Sequence, residues 1–521
     1  MEWRIQNKVI SEIIYKGENI INPWGIETAD SSAFFSLEDG YGYLYNIISE
    51  DYVIDNNIYR YLINNKMAEG HWEIRGEDTL NSNTVQRKIS LKCIEDSFFM
   101  DFAIRFRIKK EFSYAAIIND KILLHNDSNT YYQYNVDTVT LLGEEFNVVI
   151  TAEKFLDNEF MKTLMYVRDA KNEWVVHIRL LPKVWNKEVI KLCNSWYNTQ
   201  AISTKLSKII LSNKRIREYL WYHNERKPYK SIVMKLINPN AIPITKLPKG
   251  TKLNIESRFE ITENQDTYIS IIIPTYKRLY HLRKLLDSIY NQTYKNFEVI
   301  IIDDNSPNLD FYKVLVDEYK EKLDDLKFLV NEKNMGAPFS RNRGIMESKY
   351  NLLAFVDDDD EWEPFKLEKQ IAALDKTEKS EIGIIYTWTT IKNGKDKIGE
   401  YKTPAYENPL NELMQDNFIP SPSVLVTKKA IVEAGLFDES LPSCQDWDMW
   451  IRILKLGYKV NVVQDFLTIY NKHNLGSIGT SSKAKLGYRM FYRKHYKLYI
   501  KNYFRRMDLL GLIKLFKRMV W

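Results

Sequence analysis

The feature that most constrains the fold is an apolar strand pattern that runs directly into a cluster of acids, "NLLAFVDDDDEWEP" at 351–364. Four consecutive carboxylates at 357–360 follow the apolar residues, and a tryptophan and a proline come after them. Adjacent carboxylates repel one another, and burying an unpaired one is costly. The run must therefore lie either in open water on a loop or beside a positive charge.

The sequence around this run predicts alternating strands and helices. Short apolar strands are expected at "YISIIIP", "FEVIIIDD", "LKFLVN" and "NLLAFVD", and helices at "YHLRKLLDSIYNQ" and "APFSRNRGIMESK". This alternation is typical of an α/β domain with a parallel sheet covered on both faces. Ligands bind at the carboxyl ends of such strands, and two of these strands end in acid, at 303–304 and at 357–360.

The earlier part of the chain has a different pattern. In "FFMDFAIRFRI" large apolar residues alternate with Asp101, Arg105 and Arg107, which predicts a half-buried strand. The segment 164–180 predicts a hairpin around a polar turn at 169–172, and many such strands favour a β-sandwich-like domain. A helical insert is expected at about 186–226, and the polar break "TENQD" marks a boundary. We therefore predict a β-rich domain over 1–265, an α/β domain over 266–480 and a basic helical tail over 481–521.

Composition and charge indicate a folded protein with a basic end. Residues 483–521 contain twelve Lys or Arg and one Asp, while the net charge of the whole chain is only +5. The three cysteines have no metal-ligand or disulfide spacing, which fits a reducing compartment. The start lacks a secretory signal pattern, and no apolar run reaches the roughly 18 residues of a spanning helix. A cytoplasmic location is expected.

Five motifs in the second part occur in a consistent order and together resemble the inverting family 2 glycosyltransferases with the GT-A (Rossmann-like) fold. The resemblance covers about residues 268–475. It implies transfer of a sugar from a nucleotide-sugar donor, normally a UDP-sugar, to a glycan or lipid-linked glycan acceptor, as in bacterial surface polysaccharide synthesis. The motifs are "SIIIPTYKR", "QTYKNFEVIIIDDNSPN", "NMGAPFSRNRGI", "LAFVDDDDEWEPFKLEKQ" and "GLFDESLPSCQDWDMWIRILKLGYKV".

The resemblance also answers the question posed by the acid run. A departing nucleoside diphosphate gains negative charge, which a divalent cation stabilises as a Lewis acid, and oxygen ligands suit Mg or Mn. The family's DxD motif falls on Asp357 and Asp359, which implies metal ligands there, with Asp357 or Asp358 reaching the donor ribose. The register is open by one residue because the run has four acids. His473 matches a third metal ligand or phosphate contact of the family, and a solvated acidic loop is the alternative for the run.

The resemblance assigns further residues to the donor. Asp304 would accept a hydrogen bond from the base, although an Asp at a strand end can equally cap the following turn. Pro274, Thr275 and Tyr276 would line the nucleotide pocket. Arg341 would approach the pyrophosphate, or else lie on a helix surface.

Inverting displacement needs one carboxylate base on the acceptor side. Asp446 in "SCQDWDMW" matches the family's base, with Gln445 where the family usually has Glu. The alternative for Asp446 is an acid favoured by the helix dipole. Trp362 and Trp447 would either stack on sugar faces or pack near strand ends.

The two ends of the chain leave alternatives open. The tail mixes aromatic, leucine and basic residues at helical spacing, which is typical of a helix on an anionic membrane surface or of a packed helix with a basic outer face. Nucleic acid is not an expected partner, because no nucleic-acid-binding fold accompanies the charge. "YGYLYN" and "TYYQYN" in the first domain suit a carbohydrate-binding platform and ordinary strand packing equally.

Two other functions fit the sequence less well than glycosyl transfer. A sugar-phosphate nucleotidylyltransferase needs a glycine-rich loop after the first strand, and "PTYKR" is not one. A glycan-binding or scaffolding protein with a silent transferase domain would not need its acids, and Asp357, Asp359 and Asp446 are all intact.

Overall fold

A computed structural model of the chain describes two compact units, Met1–Glu263 and Asn264–Trp521. Apart from Leu206, the expected helical insert at 186–226 lies outside the described residues, as do His473 and the side chains of "TYYQYN". The described residues are 1–30, 33–38, 42, 44–119, 121–125, 131–134, 136–153, 161–182, 206, 245–265, 267–374, 381–472, 482–505 and 508–520.

The first unit consists of antiparallel strands in two main sheets. The larger has nine strands in the order β13-β12-β15-β16-β20-β9-β8-β7-β6, and the smaller has six in the order β14-β17-β18-β11-β4-β5. The strands are β1 (Glu2–Gln6), β2 (Val9–Tyr15), β3 (Glu18–Asn19), β4 (Ile26–Ala29), β5 (Phe34–Ser36), β6 (Tyr45–Asp55), β7 (Ile58–Met67), β8 (His71–Leu80), β9 (Thr84–Cys93), β10 (Ser97–Phe99), β11 (Asp101–Lys109), β12 (Ala115–Ile118), β13 (Lys121–Leu124), β14 (Tyr131–Tyr134), β15 (Thr138–Leu142), β16 (Phe146–Ala152), β17 (Met161–Ala170), β18 (Glu173–Pro182), β19 (Thr245–Leu247) and β20 (Lys252–Glu263).

Inward side chains of both sheets share one apolar core, so the unit is the predicted β-sandwich type. The hairpin prediction is confirmed, because β17 and β18 pair antiparallel around Lys171 and Asn172. The prediction of a half-buried β11 is wrong. Asp101 and Arg105 on its second face are also buried, because their charges are paired there: Arg105 contacts Glu27 at 2.9 Å and Arg179 donates to Asp101.

The second unit is an α/β domain around one mixed sheet. The strand order is β23-β22-β21-β24-β28-β26-β29-β25, with β27 beside β26. Its strands are β21 (Ile269–Thr275), β22 (Phe297–Asp303), β23 (Leu326–Val330), β24 (Leu352–Phe355), β25 (Glu361–Trp362), β26 (Ile382–Asn393), β27 (Asp396–Tyr401), β28 (Leu425–Thr427) and β29 (Lys459–Asn471). Its helices are α1 (Leu279–Tyr290), α2 (Leu309–Lys320), α3 (Ala337–Glu347), α4 (Lys366–Leu374), α5 (Pro409–Leu413), α6 (Lys428–Glu433), α7 (Gln445–Lys455), α8 (Ser482–Arg505) and α9 (Leu509–Val520).

The predicted parallel sheet holds for β21 to β24, whereas β28 runs antiparallel beside β24. Alternate side chains of the parallel strands enter two separate cores. Ile272 and Ile300 face one core, and Ile271 and Val299 face the other. Because both faces are covered, the middle positions of β21 and β22 are apolar without a break, and the buried Ser270 and Glu298 near the strand starts hydrogen-bond to each other.

The tail helices α8 and α9 belong to the second unit. Phe491 and Tyr499 of α8 and Leu515 of α9 are buried in the same core as Trp447 and Trp450. Among the helices of the described ranges, none combines the length and the hydrophobicity needed to cross a bilayer.

Candidate active site

The acids singled out in the sequence meet at one edge of the sheet. β22 and β24 both pair with β21, in parallel, so their carboxyl ends lie on either side of the end of β21. The register places Asp303 beside Thr275, and the run 357–360 follows β24 on the other side. The sheet thus collects the acids of two strand ends around Thr275 and Tyr276.

Side chains of the acid run alternate between the protein interior and the open space at the carboxyl ends of β21, β22 and β24. This space is called the cleft below. Asp358 and Asp360 are buried, whereas the side chains of Asp357 and Asp359 are 34% and 15% exposed. Burial raises the pKa of Asp360 well above its ordinary value, and the charges of Asp359 and Asp357 add to the effect. Asp357 and Asp359 are therefore the two acids of the run that a ligand in the cleft can reach.

Asp358 holds the end of β21 in place. Its carboxylate accepts hydrogen bonds from Thr275 Oγ1 at 2.8 Å, from the Tyr276 backbone N–H at 3.2 Å and from Arg278 at 3.1 Å. Burial raises the pKa of Asp358 to about 7, although Arg278 opposes the rise. These partners belong to the protein itself, and the ribose contact of Asp357 or Asp358 stays a prediction.

Two arginines supply positive charge to the run. Arg278 bridges Asp358 and Asp359, and Arg341 donates to Asp357 Oδ1 at 2.5 Å. Sequence reasoning missed Arg278, although it stands in the motif "PTYKR" next to the predicted pocket residues. Two guanidinium groups thus serve the four acids, and burial favours the protonated form of Asp358 and Asp360.

The residues present fit a divalent cation that is bound together with a diphosphate. No three His, Cys, Asp or Glu side chains of the described ranges form a complete metal cage. Mg²⁺ is commonly held by one or two carboxylates plus substrate phosphates, and Mn²⁺ favours the same hard oxygen ligands. Asp357 and Asp359 supply such a pair. His473 lies outside the described residues and stays a prediction.

Helix α3 places Arg341 at the cleft because it packs unusually close to the sheet. A Cβ atom at Gly344 would lie 2.5 Å from Ile272 Cγ2 and 2.9 Å from Ile302 Cδ1, so only glycine permits this approach. Arg341 is buried by this packing and is not a helix-surface residue.

Asp304 fixes the loop that leads into α3. Its carboxylate accepts hydrogen bonds from Asn331 Nδ2 and Met335 N, both at 2.8 Å, and from Gly336 N at 2.7 Å. These partners occupy three of about four acceptor positions of a carboxylate. One acceptor position is left for the nucleobase of a donor. The structural role of Asp304 is therefore clear, and its contact with the nucleobase stays a prediction.

Asp446 lies at the start of helix α7. Its Oδ1 accepts from the Trp447 backbone N–H at 2.8 Å, and its Oδ2 accepts from Asn417 Nδ2 at 3.0 Å. Burial raises the pKa of Asp446, while Arg341 and Asn417 act against the rise. Sequence reasoning missed Asn417, which lies 29 residues earlier in "MQDNFIP" without any motif to mark it.

Arg341 joins the base helix to the acid run. Its two terminal nitrogens donate in different directions, one to Asp357 and the other to Gln445 Oε1 at 3.4 Å. Gln445 directly precedes Asp446 in the chain. One guanidinium group therefore separates the predicted base from the predicted metal-binding acids.

Asp448 points away from the cleft into a cluster of positive charge. Its carboxylate accepts from His495 Nε2 at 2.8 Å and Arg452 Nε at 2.9 Å, and it contacts Lys494 at 2.9 Å. Burial alone would raise the pKa of Asp448, but these partners lower it to about 2. The cluster ties α7 to the tail helix α8.

The two tryptophans considered for sugar stacking are packing residues. Trp362 and Trp447 are buried, and their indole N–H groups donate to the backbone carbonyls of Pro422 and Leu413. The Trp447 ring stacks on Phe491 of α8 at 4.4 Å between centroids. A buried ring with both faces enclosed does not offer a face to a sugar.

Comparison with known proteins finds a similarity to one glycosyltransferase family in the second unit. The profile of "Glycosyl transferase family 2" matches residues 270–436. The glycosyltransferase MJ1057 of Methanocaldococcus jannaschii is 28% identical over 46% of this chain and 82% of its own length. AmsB, an amylovoran biosynthesis glycosyltransferase of Erwinia amylovora, is 26% identical over 44% of this chain and 77% of its own. A glycosyltransferase of Rickettsia felis is 29% identical, but the aligned part spans only 31% of its length.

Solved structures give a weaker likeness. S. aureus TarS (residues 1–349) in complex with UDP-GlcNAc matches with a TM-score of 0.37 and 20% identity, over 43% of this chain and 66% of that one. The mannosyltransferase PcManGT from Pyrobaculum calidifontis, with GDP-Man and Mn²⁺, matches with a TM-score of 0.35 and 14% identity, over 44% and 64%. In its second unit the chain is thus similar to glycosyl transferase family 2, and the β-rich first unit lies outside the residues that the family profile matches.

Proposed function

We propose that the second unit is a metal-dependent, inverting glycosyltransferase that moves a sugar from a UDP-sugar to a glycan or lipid-linked glycan acceptor. The observation that carries the proposal is the arrangement around Arg341, with Asp357 on one side and Gln445 and Asp446 on the other. A single-displacement reaction needs these two groups on opposite sides of the sugar carbon.

The acid run and its arginines would serve the leaving group. Asp357 and Asp359 would hold Mn²⁺ or Mg²⁺, which when bound supplies Lewis-acid stabilisation of the departing diphosphate. Arg278 and Arg341 reach the same acids and would donate to phosphate oxygens, because guanidinium groups match phosphate geometry. Pro274, Thr275 and Tyr276 would line the nucleotide pocket, and Asp304 would accept from the base.

Asp446 would remove the proton of the acceptor hydroxyl as that oxygen attacks the sugar carbon. Its pKa is raised by burial, which strengthens its carboxylate as a base. Asn417 would fix the carboxylate orientation through Oδ2. A general acid is not required where the leaving group is a diphosphate neutralised by a cation.

The acceptor class is proposed from the family and from one relative. AmsB is named for amylovoran biosynthesis, and an analogous role for this chain would be the extension of a bacterial surface polysaccharide at the cytoplasmic face of the membrane. The first unit is open to a carbohydrate-binding role in the same process.

The test is nucleotide release from a panel of UDP-, GDP- and dTDP-sugars, each with Mn²⁺, with Mg²⁺ and with EDTA. We expect release from a UDP-sugar that depends on the cation and is lost in Asp359→Asn. Asp310→Asn, an exposed acid on α2, is the matched control and should keep full activity. Cation-independent release would contradict the metal role, and no release from any donor would favour a binding protein.

A further inference from the structure

Helix α9 presents an apolar stripe to solvent that the fold does not use. Leu510, Ile513 and Phe516 are each more than half exposed and follow one another at three-residue spacing along the helix. Residues three apart lie on the same side of a helix, so the three side chains form a continuous strip.

The opposite side of α9 fixes which way this strip points. Leu515 is buried in the core of the second unit. A Cβ atom at Gly511 would lie 2.4 Å from the Tyr503 ring, so the helix packs tightly against the end of α8. The strip is therefore held outward by the fold.

The charges on α9 are of one sign. Lys514 and Lys517 are exposed beside the strip, Arg518 lies over the ring of Tyr492 at 5.0 Å from its centroid, and the helix contains no acid. Asp508 precedes the helix and accepts from the Gly511 N–H at 2.7 Å, so it serves as a cap. An exposed apolar strip edged by cations matches the boundary of an anionic bilayer, where apolar side chains enter the acyl region and cations meet the headgroups.

Helix α2 shows that exposed apolar residues alone do not produce this arrangement. Phe311 and Val314 are also more than half exposed, but the lysines of that helix are paired with its own acids. Lys313 contacts Asp310 at 3.2 Å and Lys320 contacts Asp317 at 2.9 Å. Helix α2 therefore offers no unpaired positive edge to a membrane.

We propose that α9 docks the second unit on an anionic membrane surface through Leu510, Ile513 and Phe516, with Lys514 and Lys517 facing the headgroups. The docking does not depend on the donor chemistry. It places the enzyme where a lipid-linked acceptor is found.

The test is flotation of the full chain with phosphatidylglycerol–phosphatidylcholine vesicles, compared with pure phosphatidylcholine vesicles. We expect binding to the anionic vesicles alone, weakened by salt. The triple variant Leu510→Gln/Ile513→Gln/Phe516→Gln should bind no better than wild type binds neutral vesicles. Lys514→Gln/Lys517→Gln should weaken partitioning roughly 30-fold, at about one tenfold step per 1.4 kcal/mol and ~1 kcal/mol per cation.

Matched variants on α2 are the controls. Phe311→Gln/Val314→Gln and Lys313→Gln/Lys320→Gln should float like wild type, and all variants should keep the wild-type melting temperature. The proposal is overturned if wild type does not float with anionic vesicles, or if the triple variant floats equally well. Concentration-dependent self-association without flotation, abolished by the triple variant, would assign the strip to a second copy of the chain instead.

Discussion

The interior of the first unit and the acid run of the second unit both bury carboxylates, but they neutralise them differently. In the first unit Asp78 and Arg87 are almost completely buried and face each other at 2.9 Å, one cation for one acid. In the second unit the four acids at 357–360 share the two guanidinium groups of Arg278 and Arg341. A matched pair needs no further charge, whereas we propose that the partly exposed Asp357 and Asp359 also bind a divalent cation together with the donor.

The same contrast appears within one helix. Asp448 of α7 is surrounded by three basic side chains, and its pKa falls to about 2. Asp446, two residues earlier, has amide donors as its hydrogen-bond partners, and its pKa is raised. The comparison predicts that Asp448 stabilises the fold and that Asp446 performs chemistry.

The largest expected effect follows from removing the base. Asp446→Asn should lower kcat by about 10²- to 10⁴-fold, the usual contribution of a general base, with donor affinity unchanged. The measurement is steady-state turnover together with calorimetric titration of the donor. Unchanged turnover would contradict the role of Asp446 as the base, and so would loss of donor binding in the variant.

Breaking the matched pair of the first unit should affect stability instead. Arg87→Ala leaves Asp78 buried without its cation and should destabilise the unit by about 3–5 kcal/mol. The exposed pair Arg60–Glu77, at 2.7 Å, is the control, and Arg60→Ala should cost about 0–1 kcal/mol. Calorimetric unfolding of the full chain measures both, and equal costs for the two variants would remove the distinction between buried and exposed pairs.

The acid dependence of stability should be carried in part by Asp448. Its folded pKa of about 2 lies below the ordinary value of 3.8, so its contribution is present above pH 4 and is lost as the pH falls toward 2. The difference corresponds to about 2 kcal/mol, at roughly 1.4 kcal/mol per pKa unit. Urea unfolding at pH 5, 4 and 3 should show a flatter pH dependence for Asp448→Asn than for wild type, and parallel curves would be evidence against the charge cluster.

The smallest expected effect concerns the orientation of the base. Asn417→Ala removes a hydrogen bond that lowers the pKa of Asp446, so the acid limb of the kcat profile should move to higher pH. At neutral pH, kcat should fall by about tenfold, the equivalent of one lost hydrogen bond to a charged group. Asn411→Ala, on α5, is the control, and a fall in kcat without movement of the acid limb would reduce Asn417 to a packing role.

The sequence alone was sufficient to predict the strands that carry the site. The unbroken apolar stretches "III" of β21 and "VIII" of β22 arise because both faces of the sheet are covered, and this pattern is local. It also located the acids of two strand ends, since parallel neighbours must bring those ends together.

The parts that sequence reasoning could not supply depend on contacts between distant residues. Arg278 reaches Asp358 across 80 residues, and Asn417 reaches Asp446 across 29. Which acids of the run face the cleft depends on the turn that follows β24. The sequence does not indicate this, because all four residues are aspartate. The buried charges on the second face of β11 were missed because a charged residue in an alternating strand ordinarily faces water.

The most direct test of the central claim is calorimetric titration of Mn²⁺ into the full chain, with and without UDP. We expect Mn²⁺ to bind when UDP is present, to bind more weakly without it, and to lose this binding in Asp359→Asn while Asp310→Asn keeps it. If the wild-type chain binds neither Mn²⁺ nor Mg²⁺ in the presence of any nucleoside diphosphate, the proposal that the acids after β24 bind a divalent cation is wrong.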